Sequence, residues 1–210
     1  MKLTKILLEY PGAFTPRPED EWEKNQEDMK ERGDPAQKIE QYIENGSVGD
    51  LDLSTNSGTI SSLLTSLPDN LTVNGNLLLH GCEDLTYLPK NLYVKGSLDI
   101  SFTKVNKLPY DINIGENISA EYSALKELPD NFTVNGGLNI TATPIKQLPK
   151  NLKVQYNLFI DDTMVSDIPY NLEANNFLCS ETPLANKYTE EEIFNMIVDR
   201  GGFRGVSVYS

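Results

Sequence analysis

A leucine-proline dipeptide recurs through most of the chain and constrains its fold more than any other feature. Its six copies, the last with isoleucine in place of leucine, are spaced 21, 20, 20, 20 and 20 residues apart. They are Leu67-Pro68, Leu88-Pro89, Leu108-Pro109, Leu128-Pro129, Leu148-Pro149 and Ile168-Pro169. Self-similarity at a fixed period of this length is typical of proteins whose units stack into a solenoid. The period therefore predicts a repeat array with a cap at each end.

Apolar residues alternate with polar ones inside each repeat. If the leucine of the dipeptide is position 0, apolar side chains fall at positions 4, 6, 10 and 12, as in Leu92, Val94, Leu98 and Ile100. A period of two places these side chains on one face of a β-strand. One coil cannot bury that face, whereas a stack of coils can. The pattern predicts a mainly β solenoid with an inward apolar ladder.

Position 8 interrupts this alternation. It is glycine at Gly75, Gly96 and Gly136, although its parity points inward. Glycine inside a strand marks a bulge or a corner, so each strand is predicted to split in two here. Glu116 and Tyr156 replace the glycine in other repeats, and we expect both side chains to point outward.

Two polar columns are interpreted as structural. Position 3 holds Asn70, Asn91, Asp111, Asn131, Asn151 and Asn171. These residues follow the proline turn, where asparagine and aspartate hydrogen-bond nearby backbone. Position 15 holds Cys82, Thr103, Ser123, Thr143 and Thr163. These small side chains are expected to bond the backbone of the neighbouring coil inside the bend.

The end of the second repeat has a recognisable form. It is Leu98-x-Ile100-x-x-Thr103-x-Val105-x-x-Leu108-Pro109. This pattern resembles the leucine-rich-repeat consensus LxLxxNxLxxLP, with threonine in place of the usual asparagine, and it is closest to the short repeats of bacterial and phage-type proteins. The resemblance covers six repeats in residues 67–185. It implies a flat solenoid of strands and extended segments that acts as a non-enzymatic protein-binding scaffold, and it leaves the partner open.

The N-terminal part is predicted to be a helical cap over residues 1–50. A first helix ends at Gly33, and a second begins with Asp34 as its cap and Pro35 at its first position;. Asn45-Gly46 ends the second helix. Residues 51–66 then form a degenerate first coil. Its predicted core positions are Leu51, Leu53, Ile60 and Leu63.

Residues 186–210 are predicted to form a C-terminal cap made of a helix and a strand. Thr189 and Glu192 have the spacing of a capping box at a helix start;. Gly201-Gly202 ends this helix, and Phe203 to Tyr209 is predicted to be a short closing strand.

The charge balance excludes some classes of partner. With 31 acidic and 18 basic side chains, the net charge is -13, so nucleic acid and anionic membranes are disfavoured and a basic protein partner fits better. The apolar run near the start ends after Ile6, Leu7 and Leu8, which is too short for a signal peptide;. Cys82 and Cys179 lie five coils apart and cannot bridge;. A cytoplasmic location, in a bacterial or a host cell, is therefore predicted.

No residue pattern supports catalysis or cofactor binding. His80 is the only histidine, and the two cysteines are distant from each other, so a nucleophile-base pair or a soft metal site has no clustered residues;. Phosphate-binding glycine motifs are missing from the sequence;. The sequence predicts a protein that is not an enzyme and has no cofactor. A hydrolase or ubiquitin-ligase domain, as some bacterial repeat proteins carry, has no room in this chain.

A partner-binding surface is predicted on outward positions of the repeats, mainly of repeats three to six. These are positions 9, 11, 13 and 14, together with position 8 where it is not glycine. The predicted contact residues are Phe102, Glu121, Tyr122, Tyr156, Phe159, Asp161, Phe177 and Glu181. Exposed aromatic rings rimmed by carboxylates suit an interface with a basic protein; alternatively, the rings pack over the coil edge. The second functional hypothesis is an acidic inhibitor of a nucleic-acid-binding host defence enzyme, of the anti-restriction or anti-CRISPR type. Homo-oligomerisation is possible but not indicated.

Overall fold

The computed structural model describes residues 34–55 and 64–210. In this part the chain forms a solenoid of about five turns, built from parallel strands and flanked by two helices. Thirteen short strands are present in the described residues. They are β1 Leu51–Asp52, β2 Thr72–Val73, β3 Leu77–Leu78, β4 Tyr93–Val94, β5 Leu98–Asp99, β6 Asn113–Ile114, β7 Ile118–Ser119, β8 Thr133–Val134, β9 Leu138–Asn139, β10 Lys153–Val154, β11 Asn157–Phe159, β12 Asn176–Leu178 and β13 Ser207–Tyr209. The predicted mainly β solenoid is confirmed.

The strands stack into three parallel sheets in the described part of the chain. The largest has eight strands in the order β1-β3-β5-β7-β9-β11-β12-β13. A second sheet pairs β2, β4 and β6, and a third pairs β8 with β10. Each repeat places one strand in the large sheet and the preceding strand, where there is one, in a smaller sheet. The solenoid therefore has a continuous sheet along one side.

The core is the inward face of these sheets. Leu77, Leu98, Ile118, Leu138 and Leu158 pair in register from coil to coil, and all of them are buried. Because strand neighbours lie about 4.8 Å apart, these side chains pack directly on one another. This continuous ladder confirms the period-two prediction.

Position 8 is a corner, as predicted. The chain bends between the two strands of each coil, and Glu116 and Tyr156 are both exposed. Gly136 is required by close approach, since a Cβ there would lie 2.5 Å from the side-chain oxygen of Asn117 and 2.7 Å from its backbone nitrogen. The corner brings neighbouring backbones too close together for any side chain at Gly136.

The asparagines of position 3 are structural, as predicted. Five of them adopt left-handed φ angles between 52° and 62°, a conformation that asparagine tolerates. Their amides also bond from coil to coil: Asn91 Nδ2 donates to Asn70 Oδ1 at 2.9 Å, and Asn151 Nδ2 donates to Asn131 Oδ1 at 2.6 Å. The column closes each turn and ties it to the next.

The small residues of position 15 are buried. The prediction that their hydroxyl groups bond the backbone of the neighbouring coil is wrong. Thr103 Oγ1 donates to the carbonyl of Ile100, three residues earlier in the same coil, at 2.7 Å. Ser123, Thr143 and Thr163 make the same bond within their own coils. The bend is so tight that the nearest carbonyl belongs to the strand just completed.

Both described cap helices have the predicted ends. Helix α1 spans Pro35–Glu44, and the side chain of Asp34 accepts a hydrogen bond from Ala36 N at 2.9 Å. Helix α2 spans Glu190–Asp199, with Thr189 as its N-cap and the capping box formed. The closing strand is β13, shorter than predicted. The first predicted helix, Ile60 and Leu63 lie outside the described residues, whereas Leu51 and Leu53 are buried as predicted.

The prediction that Phe177 points outward is wrong. Its side chain is 0% exposed. Lys153 is bridged to Glu173, 20 residues later, but Asn157 pairs with Asn176, only 19 residues later. One residue has therefore been lost in the corner of the last coil. A shift of one residue turns every following strand side chain to the other face, so Phe177 enters the core.

Candidate functional site

The solvent-facing side of the eight-stranded sheet carries different side chains from coil to coil. We call it the sheet face and divide it into three columns. The first column is Asp50, Asn76, Ser97, Asn117, Gly137, Asn157 and Asn176; the second is Asp52, Leu78, Asp99, Ser119, Asn139, Phe159, Leu178 and Tyr209; the third is Ser54, His80, Ser101, Glu121, Thr141, Asp161 and Ser180. Strand alternation aims all of these residues away from the core.

Charge is segregated around the solenoid. The sheet face includes Asp50, Asp52, Asp99, Glu121 and Asp161, and no lysine or arginine of the described residues lies on it. Lysines occupy the turns and the smaller sheets instead, where two of them form ion pairs with glutamates of the next coil. The sheet face therefore has a one-sided negative potential.

Three aromatic rings form a stack beside the third column. The rings of Phe102 and Tyr122 are stacked at 4.8 Å with an interplanar angle of 16°, and the His80 ring lies 5.1 Å from Phe102 at 58°. We call these three residues the ring stack. His80 Nδ1 also lies 3.9 Å from Asp99 Oδ2. Tyr122 remains 56% exposed, so the stack has a free outer surface.

The ring stack is built on an unusual backbone. The turn after each of the six inner strands of the large sheet has a left-handed residue, and the column of such residues is Gly81, Phe102, Tyr122, Ala142, Asp162 and Glu181, with φ between 53° and 73°. This conformation costs a non-glycine residue roughly 1–2 kcal/mol. Glycine or asparagine would adopt it more easily, so the turn itself does not explain the aromatic side chains.

A hollow of about 450 Å³ lies on the sheet face over β7, β9 and β11. Its principal lining residues are Asn117, Gly137, Asn139, Tyr156, Asn157 and Phe159. The hollow exists because Gly137 has no side chain, while two aromatic residues rise beside it from the next coil. We call it the Gly137 hollow.

Gly137 is not required by the backbone. A Cβ placed there would meet no atom closer than 3.4 Å, which is ordinary van der Waals contact, and its φ is not in the left-handed region. Its neighbour Gly136 is sterically obligatory, as described above. The two adjacent glycines therefore have different roles. Gly136 is required by close steric contact, whereas Gly137 leaves space at the surface.

The predicted contact residues fall into separate groups. Phe102, Glu121 and Tyr122 lie together at the ring stack, where Glu121 Oε1 accepts a hydrogen bond from Asn139 Nδ2 at 2.6 Å. Tyr156 and Phe159 lie together at the Gly137 hollow. The structure thus brings five of the predicted residues into two clusters on one surface.

The remaining predicted residues lie farther along the same side. Asp161 accepts a hydrogen bond from Ser180 N at 2.7 Å, and Glu181 is an exposed left-handed residue at the following turn. Phe177 is excluded because it is in the core.

Sequence reasoning missed the ring of His80 and the Gly137 hollow. From the sequence, His80 is considered only for catalysis and metal binding, although position 13 of one coil lies beside position 14 of the next. A signal for the hollow was present in the first column, in which Gly137 is the only glycine among asparagine, serine and aspartate.

Few groups on the described residues have unusual chemistry. Burial, with the negative charges of Asp161 and Glu190, raises the pKa of the Cys179 thiol to about 12, so this cysteine is a poor nucleophile. Neither Cys82 nor Cys179 forms a disulfide, and both are buried. Over residues 34–55 and 64–210, no group of three histidine, cysteine or acidic side chains is arranged to hold a metal ion. The helices in these two ranges are too short or too polar to cross a membrane.

Comparison with protein-family models, with curated proteins and with solved structures gave no match. The class is therefore defined by the fold itself, as a parallel β-solenoid with coils of about 20 residues. Its distinguishing surface is an acidic sheet face with a ring stack and a glycine-floored hollow.

Proposed function

We propose that the protein is a non-enzymatic scaffold of the leucine-rich-repeat type that binds a basic partner protein through its sheet face. The observation that supports this most directly is the segregation of charge. Five carboxylates share the sheet face without a lysine or arginine among the described residues. A surface of one sign steers a partner of the opposite sign and fixes its orientation.

The ring stack supplies an anchor for such a partner. Large aromatic side chains are enriched at the energetic centre of protein interfaces, where they add apolar area with few rotatable bonds. The Phe102 and Tyr122 rings hold each other in place at 4.8 Å, so little side-chain entropy remains to be lost on binding. Glu121 and Asp99 place carboxylates beside these rings.

The leucine-rich-repeat assignment rests on the repeat pattern and on the bend. Thr103 stands where the consensus has asparagine, and its hydroxyl bonds a carbonyl inside the bend at 2.7 Å. A short hydroxyl side chain thus serves as the buried polar group that ends the strand. Threonine in place of the consensus asparagine is therefore compatible with a leucine-rich-repeat solenoid.

The test is a double variant, Phe102→Asn with Tyr122→Asn. Asparagine tolerates the left-handed turn, so the fold should be kept while the rings are lost. Ala142→Asn is the matched control, because it makes the same change in the next coil without removing a ring. Proteins captured by the wild type and by the control, but not by the double variant, are partners of this surface.

The captured partner should be basic, and its affinity measured by calorimetry should fall as salt rises from about 50 to about 300 mM. A set of captured proteins that is the same for the wild type and the double variant would contradict the proposal. Salt-independent affinity would also contradict it, because the acidic sheet face would then have no part in binding.

The alternative function is inhibition of a nucleic-acid-binding enzyme. The same one-sided acidic surface favours it, since a groove that holds phosphates is itself basic. A captured partner that is released by duplex DNA in a competition assay would support this function. A partner that binds DNA and the solenoid simultaneously would contradict it.

A further inference from the structure

The first column of the sheet face forms a ladder from side chain to backbone. In four successive coils, from Asp50 to Asn117, the side-chain oxygen of the first-column residue accepts the N–H of the first-column residue in the next coil. Asp50 accepts from Asn76 N at 2.7 Å, and Asn76 accepts from Ser97 N at 2.8 Å. Ser97 Oγ accepts from Asn117 N at 3.3 Å, and Asn117 Oδ1 accepts from Gly137 N at 2.7 Å.

The ladder stops at Gly137. With no side chain, Gly137 offers no oxygen to the next residue, Asn157, whose backbone nitrogen would lie 4.0 Å from a Cβ at Gly137. The Asn157 N–H has no acceptor in the described part of the chain, and neither does its side-chain Nδ2, since only its Oδ1 is bonded, to Asn176 Nδ2 at 2.7 Å. Asn157, which lines the Gly137 hollow, therefore has two donors without a protein acceptor in the described residues.

These donors restrict the chemistry of a ligand. Ammonium and guanidinium groups have no acceptor to offer them, which excludes a lysine or arginine side chain at this point. Anions can accept, but Glu121 and Asp161 keep the local potential negative and oppose them. The ligand that fits the donors and the field is an uncharged group with acceptor oxygens.

The walls of the hollow add two further requirements. Tyr156 and Phe159 present aromatic surface to its interior, which suits a ring with an apolar face. The other amides are already held in place: Asn117 bonds Gly137 N, and Asn139 Nδ2 bonds Glu121 at 2.6 Å. Fixed amides around an apolar wall orient a ligand that has several hydroxyl groups.

We propose that the Gly137 hollow is a binding site for one uncharged sugar ring. A hydroxyl or acetamido oxygen of the sugar accepts from Asn157 N and takes the place of the missing first-column side chain. The C–H face of the ring packs against Tyr156 or Phe159. A volume of about 450 Å³ is within the usual range of ligand pockets. This site lies on the same sheet face as the proposed protein interface, but it is separate from the ring stack that anchors the protein partner.

The test is a titration of the ¹⁵N-labelled protein with methyl β-glucoside and methyl N-acetyl-β-glucosaminide, followed by amide NMR shifts. We expect saturable shifts of the Gly137 and Asn157 amides with at least one of the two sugars. Gly137→Asn should abolish them, because it restores the ladder and fills the hollow. Ser97→Asn is the matched control, since it introduces the same side chain in the same column outside the hollow and should bind normally.

Several results would overturn the proposal. The first is the absence of saturable shifts with either sugar, and the second is undiminished sugar binding by Gly137→Asn. The third is equal saturation by N-methylacetamide, which would indicate a site for a peptide amide. If Gly137→Asn does not fold, as judged by its NMR spectrum, Tyr156→Ala replaces it, because that side chain is 53% exposed at a corner. Loss of sugar binding with unchanged partner capture would separate this site from the proposed protein interface.

Discussion

Replacing Phe177 by alanine tests the register of the last coil. The side chain is 0% exposed and pairs with Leu158 on one side and Val208 on the other. Truncating a fully buried phenylalanine costs about 3–5 kcal/mol, because the transfer free energy is lost and a cavity remains. Phe159→Ala is the matched comparison, since that ring lies on the sheet face. Its expected cost is about 1 kcal/mol or less.

The two variants can be compared by urea unfolding followed by circular dichroism. With a slope of about 2 kcal/mol per molar urea, a loss of about 4 kcal/mol lowers the midpoint by about 2 M. Phe177→Leu keeps part of the apolar volume and should give an intermediate midpoint. If Phe177→Ala unfolds within about 0.5 M of the wild type, or if Phe159→Ala is the more damaging change, Phe177 does not lie in the core and the one-residue shift is refuted.

Four other substitutions test single contacts. Gly136→Ala forces a Cβ to 2.5 Å from a side-chain oxygen of the preceding coil and should lower the melting temperature, whereas Gly137→Ala has no contact under 3.4 Å and should leave it unchanged or slightly raised;. Thr143→Val removes a buried hydroxyl that donates to a carbonyl at 2.7 Å, and calorimetric melting should show a loss of about 1–3 kcal/mol;. The hydrogen bond from Arg200 at 2.9 Å lowers the pKa of Asp167, so its stabilisation is present above the unfolded pKa and is lost as the pH falls through the folded pKa. The stability advantage of the wild type over Asp167→Asn should therefore shrink between about pH 5 and about pH 3, by a small amount because the carboxylate is 62% exposed.

The architecture could be predicted because every coil repeats the same local instructions. The leucine-proline turn, the alternating apolar residues and the asparagines of position 3 all favour one backbone path, and agreement between such levels specifies a fold. Asn151 illustrates this, since its left-handed φ and its amide bond to Asn131 both follow from its place after the proline.

The error at Phe177 has a physical cause that counting positions does not detect. The lost residue lies in the corner between Glu173 and Asn176, where the buried side chain is the small Ala174. Both registers alternate polar and apolar residues, and only packing against Leu158 decides between them. The apolar side chain of Phe177 therefore packs into the core, and the corner accommodates the one-residue difference in length.

The clusters on the sheet face could be predicted only in part. Phe102 and Tyr122 were recognised as outward residues from their position in the repeat. Their contact with His80 depends on the turn that places one coil's strand end beside the next coil's left-handed residue. Likewise, the Gly137 hollow depends on the distance between Cβ positions across coils, which sequence spacing does not give.

The free energies at the ring stack favour a role beyond folding. Two aromatic residues in left-handed conformation cost together roughly 2–4 kcal/mol, whereas a stacked pair of rings returns about 0.5–1.5 kcal/mol beyond its buried area. Tyr122 buries less than half of its side chain, so the free energy of its burial does not easily offset the cost of the left-handed backbone. Total stabilities of domains are only about 5–15 kcal/mol, and glycine already occupies the same turn at Gly81 without this strain. The strain and the stacking therefore do not account for the rings by themselves, which is consistent with the proposed role of the ring stack in partner binding.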